Sequence, residues 1–164
     1  MTATRRTLLL ATAGLAVGAS TARAETDEGG LLLGLWRREM NANLAYAEVV
    51  NVDPLFHTLR RHEWDHAAAL ATELAAVGLG TPRPPEELSD LDATAERLAR
   101  ARGRREVLAA AGTLEGELVT LYQTALAGLP DAKIAMTAGT ILASHSQHRL
   151  MLPREDGADP LTGL

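Results

Sequence analysis

Glu63 and His66 stand three residues apart in the stretch His62-Glu63-Trp64-Asp65-His66, and His145 and His148 repeat that spacing near the other end of the chain. On a helix, residues three apart share a face, one turn from each other. Glu39 and Tyr46 are seven apart, and so are Glu115 and Tyr122. Carboxylate and imidazole groups held on one face form a mixed oxygen and nitrogen donor set, which suits iron, manganese and zinc. Glu-x-x-His is also the spacing by which helical bundles hold two-metal carboxylate centres. The expected metal donors are therefore Glu39, Glu63, His66, Glu115, His145 and His148. Tyr46 and Tyr122 read as core packing that can also donate to ligands, and His62, about 40° from His66 around a helix, reads as an outer neighbour.

The elements that carry these groups are helices. Segments rich in Ala, Leu, Glu and Arg alternate with short breakers, and β-branched alternating runs are missing. At 100° per residue, four core stripes emerge. The first holds Leu32, Leu35, Glu39, Asn43, Tyr46 and Val50; the second Phe56, Leu59, Glu63, His66, Leu70 and Leu74. The third holds Leu108, Ala111, Glu115, Leu118, Tyr122 and Leu126, and the fourth Ile134, Ile141, His145, His148 and Leu152. Each stripe is apolar except near its middle. A carboxylate there is costly unless it is paired or ligates a metal. Glu48 and Glu117 fall on the opposite, solvated faces.

Breakers set the boundaries. The spacing predicts helices over Leu31–Val50, Asp53–Val77, Arg104–Leu126 and Asp131–Leu152, with Gly29-Gly30 ahead of the first and Pro153 after the last. Gly78-Leu79-Gly80 stops the second, and three prolines between Thr81 and Pro85 keep that stretch non-helical. A shorter helix is expected over Ser89–Arg102. Two helical hairpins joined by one long crossover make an all-α, ferritin-like four-helix bundle.

The first 24 residues read differently. Thr4-Arg5-Arg6-Thr7 precedes an apolar run from Leu8 to Val17, and Ala22-Arg23-Ala24 has small residues at a cleavage position. This is the layout of a signal peptide, and the arginine pair resembles the twin-arginine consensus. The expected organisation is a signal peptide over 1–24, the bundle over 25–152 and a disordered tail over 153–164. The precursor would meet the twin-arginine export machinery and the mature chain would be periplasmic or secreted. The apolar run is too short to span a bilayer, so the mature form has no membrane span. The formal net charge is −5; residues 1–24 hold three arginines and no acid, which takes the remainder to −8. That balance, with only 3% aromatic residues, excludes a nucleic-acid partner. With no cysteine, thiolate sites and disulfides are excluded as well.

The mature chain resembles exported bacterial ferritin-like domain proteins. The resemblance lies in Glu39 to Tyr46, His62 to Leu70, Leu114 to Tyr122 and Ile141 to His148. It implies Glu39 and Glu115 as terminal carboxylates, Glu63 as a bridging carboxylate, and His66 and His148 as imidazole ligands. The chain departs from the pattern at His145, where the second Glu-x-x-His would have its glutamate. An imidazole serving one ion in place of a bridging carboxylate leaves three carboxylates against two divalent ions, so an asymmetric site with a weaker second ion is expected.

Three functions follow as expectations. The first is an exported ferritin-like protein with a mono- or dinuclear Glu/His site, its metal iron with manganese or zinc as alternatives, and a ferroxidase-like oxidoreductase activity in Fe(II) oxidation or peroxide handling. The second is a structural or binding bundle with a degenerate site, Glu39 paired for instance with Arg149. The third is a zinc peptidase of the His-Glu-x-x-His type, with zinc on His62 and His66, Glu63 as base, and Glu115 or His148 as third ligand. The longer form of that motif needs Gly and His where this chain has Ala69 and Thr72.

Overall fold

The computed structural model describes residues 8–152, with side chains from Glu28 onward. Arg5, Arg6 and the 153–164 tail lie outside the described residues, as do the side chains of Ala22-Arg23-Ala24. The described residues form five helices and no strand: α1 Leu8–Val49, α2 Leu55–Ala76, α3 Ala93–Arg100, α4 Arg104–Leu126 and α5 Ala132–Met151. Helices α1 and α2 form one hairpin and α4 and α5 the other, while α3 rides on the crossover and packs on α1 and α4. Helix α1 begins far ahead of the expected Leu31 and runs through Gly29-Gly30. A glycine inside a helix costs only about 1 kcal/mol against alanine, so the pair does not stop the helix.

The other ends follow local chemistry. Asp53 Oδ1 accepts the Leu55 N–H at 2.9 Å and opens α2. Its other end closes on Gly78, whose φ of 76° is left-handed. There the Leu79 N–H returns to Leu74 O and the Gly78 N–H to Ala75 O, the paired bonds of a Schellman stop. The expected Ser89–Arg102 helix is split. Asp90 Oδ2 gathers the N–H groups of Glu86 and Glu87 into a short 3-10 turn. Asp92 then caps α3 by accepting from Thr94 and Ala95. Arg38 of α1 ties the crossover down, reaching Asp92 at 2.7 Å and Glu117 of α4 at 2.9 Å.

Two apolar clusters fill the bundle. One gathers Ala42, Tyr46, Phe56, Leu59, Leu98, Leu114 and Leu118 among others. The second gathers Leu32, Leu35, Leu70, Leu74, Tyr122, Ile134 and Ile141 with their neighbours. The expected stripes hold with small departures: Val49 rather than Val50 is buried, Asn43 and Leu126 are only half-buried, and Asn43 donates to Arg60 O. Trp36 is core, whereas Trp64 is 57% exposed and does not pack inside. Glu48 and His57 are exposed. Among the described residues, no helix is long and apolar enough to cross a membrane.

Candidate metal centre

The polar groups sit where the two apolar clusters meet. Glu39 of α1, Glu63 of α2, Glu115 of α4 and His145 of α5 are completely buried, and His148 is nearly so. The helical repeat puts each of them mid-stripe, so four helices deliver them to one level of the bundle. All six residues expected as donors converge there. They form two overlapping groups, one of Glu39, Glu63, His66 and His145, the other of Glu63, Glu115, His145 and His148. Glu63 and His145 belong to both.

Distances within the groups fit a shared ion. Two donors each about 2.1 Å from one ion stand about 3.0 Å apart at a right angle and about 3.4 Å apart at the tetrahedral angle. In the first group, Glu39 Oε1 lies 3.0 Å from His145 Nε2, Glu39 Oε2 3.2 Å from His66 Nδ1, and Glu63 Oε2 3.6 Å from His66 Nδ1. In the second, Glu115 Oε2 lies 2.9 Å from His145 Nδ1 and 3.4 Å from His148 Nδ1, and Glu63 Oε1 is 3.4 Å from the same His148 nitrogen. Glu63 thus turns one oxygen to each group. Both its oxygens, and His148 Nδ1, are buried with no hydrogen-bond partner. Buried polar atoms are otherwise almost always satisfied, and these three are all donor atoms of the candidate site.

Charge is arranged around the same atoms. Burial raises the Glu63 carboxyl, and the neighbouring Glu115 and Glu39 push it further, to about 7. Burial also works against ionised Glu39 and Glu115. Glu39 is nevertheless held well below its usual range by the His145 charge and by hydrogen bonds from His145 and His66. Glu115 is held at about 2 by the hydrogen bond from His145 and by the His145 and His148 charges beside it. The imidazoles respond in the opposite sense. Burial lowers them, but Glu39 and Glu115 raise His145 to about 11, and Glu115 and Glu63 raise His148 to about 9. Protons therefore occupy this cluster where cations would be held.

The surrounding residues fix the donors. Tyr46 donates to Glu115 Oε1 at 2.6 Å and Tyr122 to Glu39 Oε1 at 2.7 Å, so both tyrosines are more than packing. His62 Nδ1 lies 2.9 Å from His148 Nε2. Ser144 Oγ approaches the same Nε2 at 3.3 Å. Ser144 escaped the sequence reading. It stands four residues before His148 as His62 stands four before His66, so the repeat itself held the signal.

Two sequence expectations are corrected. Glu39 is not paired with Arg149: its partners are Tyr122, His145 and His66, and Arg149 is exposed beside Gly116 of α4. The peptidase arrangement also fails. His62 faces His148 rather than sharing an ion position with His66, neither donor group includes it, and no strand is present among the described residues to hold a peptide.

A family model described as ferritin-like domain matches residues 36–154 of the chain. Comparison with curated proteins finds no match, and neither does comparison with solved structures.

Proposed function

We propose that this chain, which belongs to the ferritin-like domain family, holds up to two transition-metal ions on Glu39, Glu63, His66, Glu115, His145 and His148, with iron as the principal metal and manganese or zinc as alternatives. The observation that carries this reading is the unpartnered trio of Glu63 Oε1, Glu63 Oε2 and His148 Nδ1 at the buried centre of the bundle. A purely structural cluster would leave no buried carboxylate with both oxygens unsatisfied, because that costs about 1–3 kcal/mol or more. Bound iron would supply one-electron chemistry toward oxygen or peroxide.

The protein's own residues prepare the site for that role. Glu39 and Glu115 are kept ionised, and their orientations are fixed by Tyr122 and Tyr46. His62 and Ser144 occupy His148 Nε2, which leaves Nδ1 directed at Glu63 and Glu115. Such outer partners orient ligands and commonly set affinity. The apolar clusters on either side exclude water from the carboxylates. Among the donors His66 has the most exposed side chain, at 11%.

An exported, periplasmic or secreted location completes the proposal. It is supported by the Arg5-Arg6 pair, the apolar run and Ala22-Arg23-Ala24 in the sequence. The intact mass of the exported protein should correspond to a Glu25 start, and a retained Met1 would refute processing. Normal export of an Arg5→Lys, Arg6→Lys double variant would point to the general secretory route. The metal proposal is tested by anaerobic loading with Fe(II), Mn(II) or Zn(II), followed by desalting and metal analysis. Retention of ions by the wild type and their loss from Glu63→Ala supports it; no retained ion of any kind refutes it. Consumption of oxygen or peroxide by the Fe(II)-loaded protein then separates an oxidoreductase from a carrier.

A further inference from the structure

We propose that His145 is a bridging ligand, with Nε2 serving the ion of the Glu39–His66 group and Nδ1 the ion of the Glu115–His148 group; this rests on the metal-binding reading above. The two imidazoles His145 and His148 are used differently. His148 spends Nε2 on His62 and Ser144 and has only Nδ1 for an ion. His145 turns both nitrogens to carboxylates, Nδ1 to Glu115 Oε2 at 2.9 Å and Nε2 to Glu39 Oε1 at 3.0 Å. It is completely buried and belongs to both donor groups, as Glu63 does. Glu63 and His145 therefore occupy equivalent places in the two hairpins: each sends one atom to either side.

Charge favours the same assignment. Glu39, Glu63 and Glu115 supply three negative charges against two divalent ions. A neutral imidazole would leave one positive charge unmatched in a buried site, which is costly. An imidazolate supplies the missing charge and a second lone pair together. Both ring nitrogens face carboxylate oxygens at hydrogen-bond distance, and an ionised carboxylate only accepts, so both nitrogens carry hydrogen before an ion binds. Binding at both breaks the two N–H bonds and leaves each electron pair on nitrogen to form an N–metal bond. Two protons pass to solvent, and no oxidation or reduction is involved. Metal binding releases protons from its ligands in this way generally. A second ion bound as firmly as the first replaces the asymmetric site that a one-sided imidazole implies.

The test uses the full chain with nitrogen-labelled histidine, loaded with a spin-active cadmium isotope and read by NMR beside metal analysis. The His145 signals are assigned by their absence from His145→Gln. The expected result is two cadmium ions per chain, coupling of each His145 ring nitrogen to a different cadmium, and no ring N–H. His145→Gln should then lose one of the two ions, and His145→Glu should retain both. Two bound ions with cadmium coupling at one His145 nitrogen and a proton on the other would overturn the bridge, and so would a single bound ion, while metal binding itself stands in both cases. Absence of any bound cadmium would overturn the metal-binding reading together with the bridge.

Discussion

The Tyr46 hydroxyl donates across the bundle to Glu115 Oε1 at 2.6 Å, rather than to Glu39 two turns away on its own helix. Tyr122 answers with Glu39 at 2.7 Å, so α1 and α4 exchange tyrosines over an antiparallel contact. Both hydroxyls are buried, and burial together with the carboxylates beside them keeps both phenols protonated far above neutral pH. Each is therefore a fixed donor. Tyr46→Phe keeps the ring but leaves Glu115 one donor short in a dry site, at a cost of roughly 1–3 kcal/mol. Urea unfolding of the metal-free protein should show this loss. A similar loss is expected for Tyr122→Phe, since the two sit in equivalent places. An unchanged midpoint in both variants would mean that water replaces the hydroxyls.

Metal should stabilise the fold by mass action, about 2.7 kcal/mol at a hundredfold excess over the dissociation constant. His66→Ala removes a ligand whose side chain reaches the edge of the site, so the metal-free fold should tolerate it. The rise in melting temperature on adding metal should shrink in His66→Ala and in Glu115→Ala. Equal rises in wild type and both variants would reject these residues as ligands.

Opposite pH trends are expected for the metal-free and metal-loaded proteins. Without metal, His148 and His145 have folded pKa values of about 9 and about 11, raised from 6.5. Their stabilising contribution is complete below the unfolded value and fades as pH rises through the folded ones. Glu63, raised from 4.5 to about 7, adds a loss in the same direction between those values. Glu39 and Glu115 work the other way, since they are depressed; their contribution is present above 4.5 and lost only in acid. Metal-free stability should therefore decline from about pH 7 toward about pH 9. Ions compete with those same protons, so apparent metal affinity should climb over that interval. Calorimetric titration and thermal melts at matched pH values measure the two trends, and an affinity independent of pH would contradict both.

Asp92 offers a control away from the ions. Its side chain caps α3 through Thr94 and Ala95 while accepting from Arg38 and Asn41. Asp92→Ala should cost about 0.5–2 kcal/mol from the cap alone, with somewhat more from the freed Arg38. Metal stoichiometry should stay unchanged, because no ligand depends on α3. Loss of an ion in this variant would show that the crossover also shapes the site.

Helical periodicity in the sequence was sufficient to place Glu39, Glu63, Glu115 and His145 inside the bundle. A residue's angular position around a helix follows from its number alone, and an apolar stripe leaves one face for the core. The same regularity made the bounds of α4 legible at Gly103 and after Leu126. It could not show where α1 begins, because Gly29-Gly30 looks like a breaker yet costs too little to end a helix.

What only the tertiary structure decided is which groups meet. The sequence pairs Glu39 with Tyr46 and Glu115 with Tyr122 by spacing; the fold exchanges the partners. It also takes His62 away from an ion shared with His66 and sets it on His148, and it turns both nitrogens of His145 toward opposite carboxylates. The physical reason is one of range. Periodicity sets direction around a single axis, whereas contacts across the bundle depend on how helices slide and rotate against one another, and that is settled by the packing of the two apolar clusters on either side of the charges.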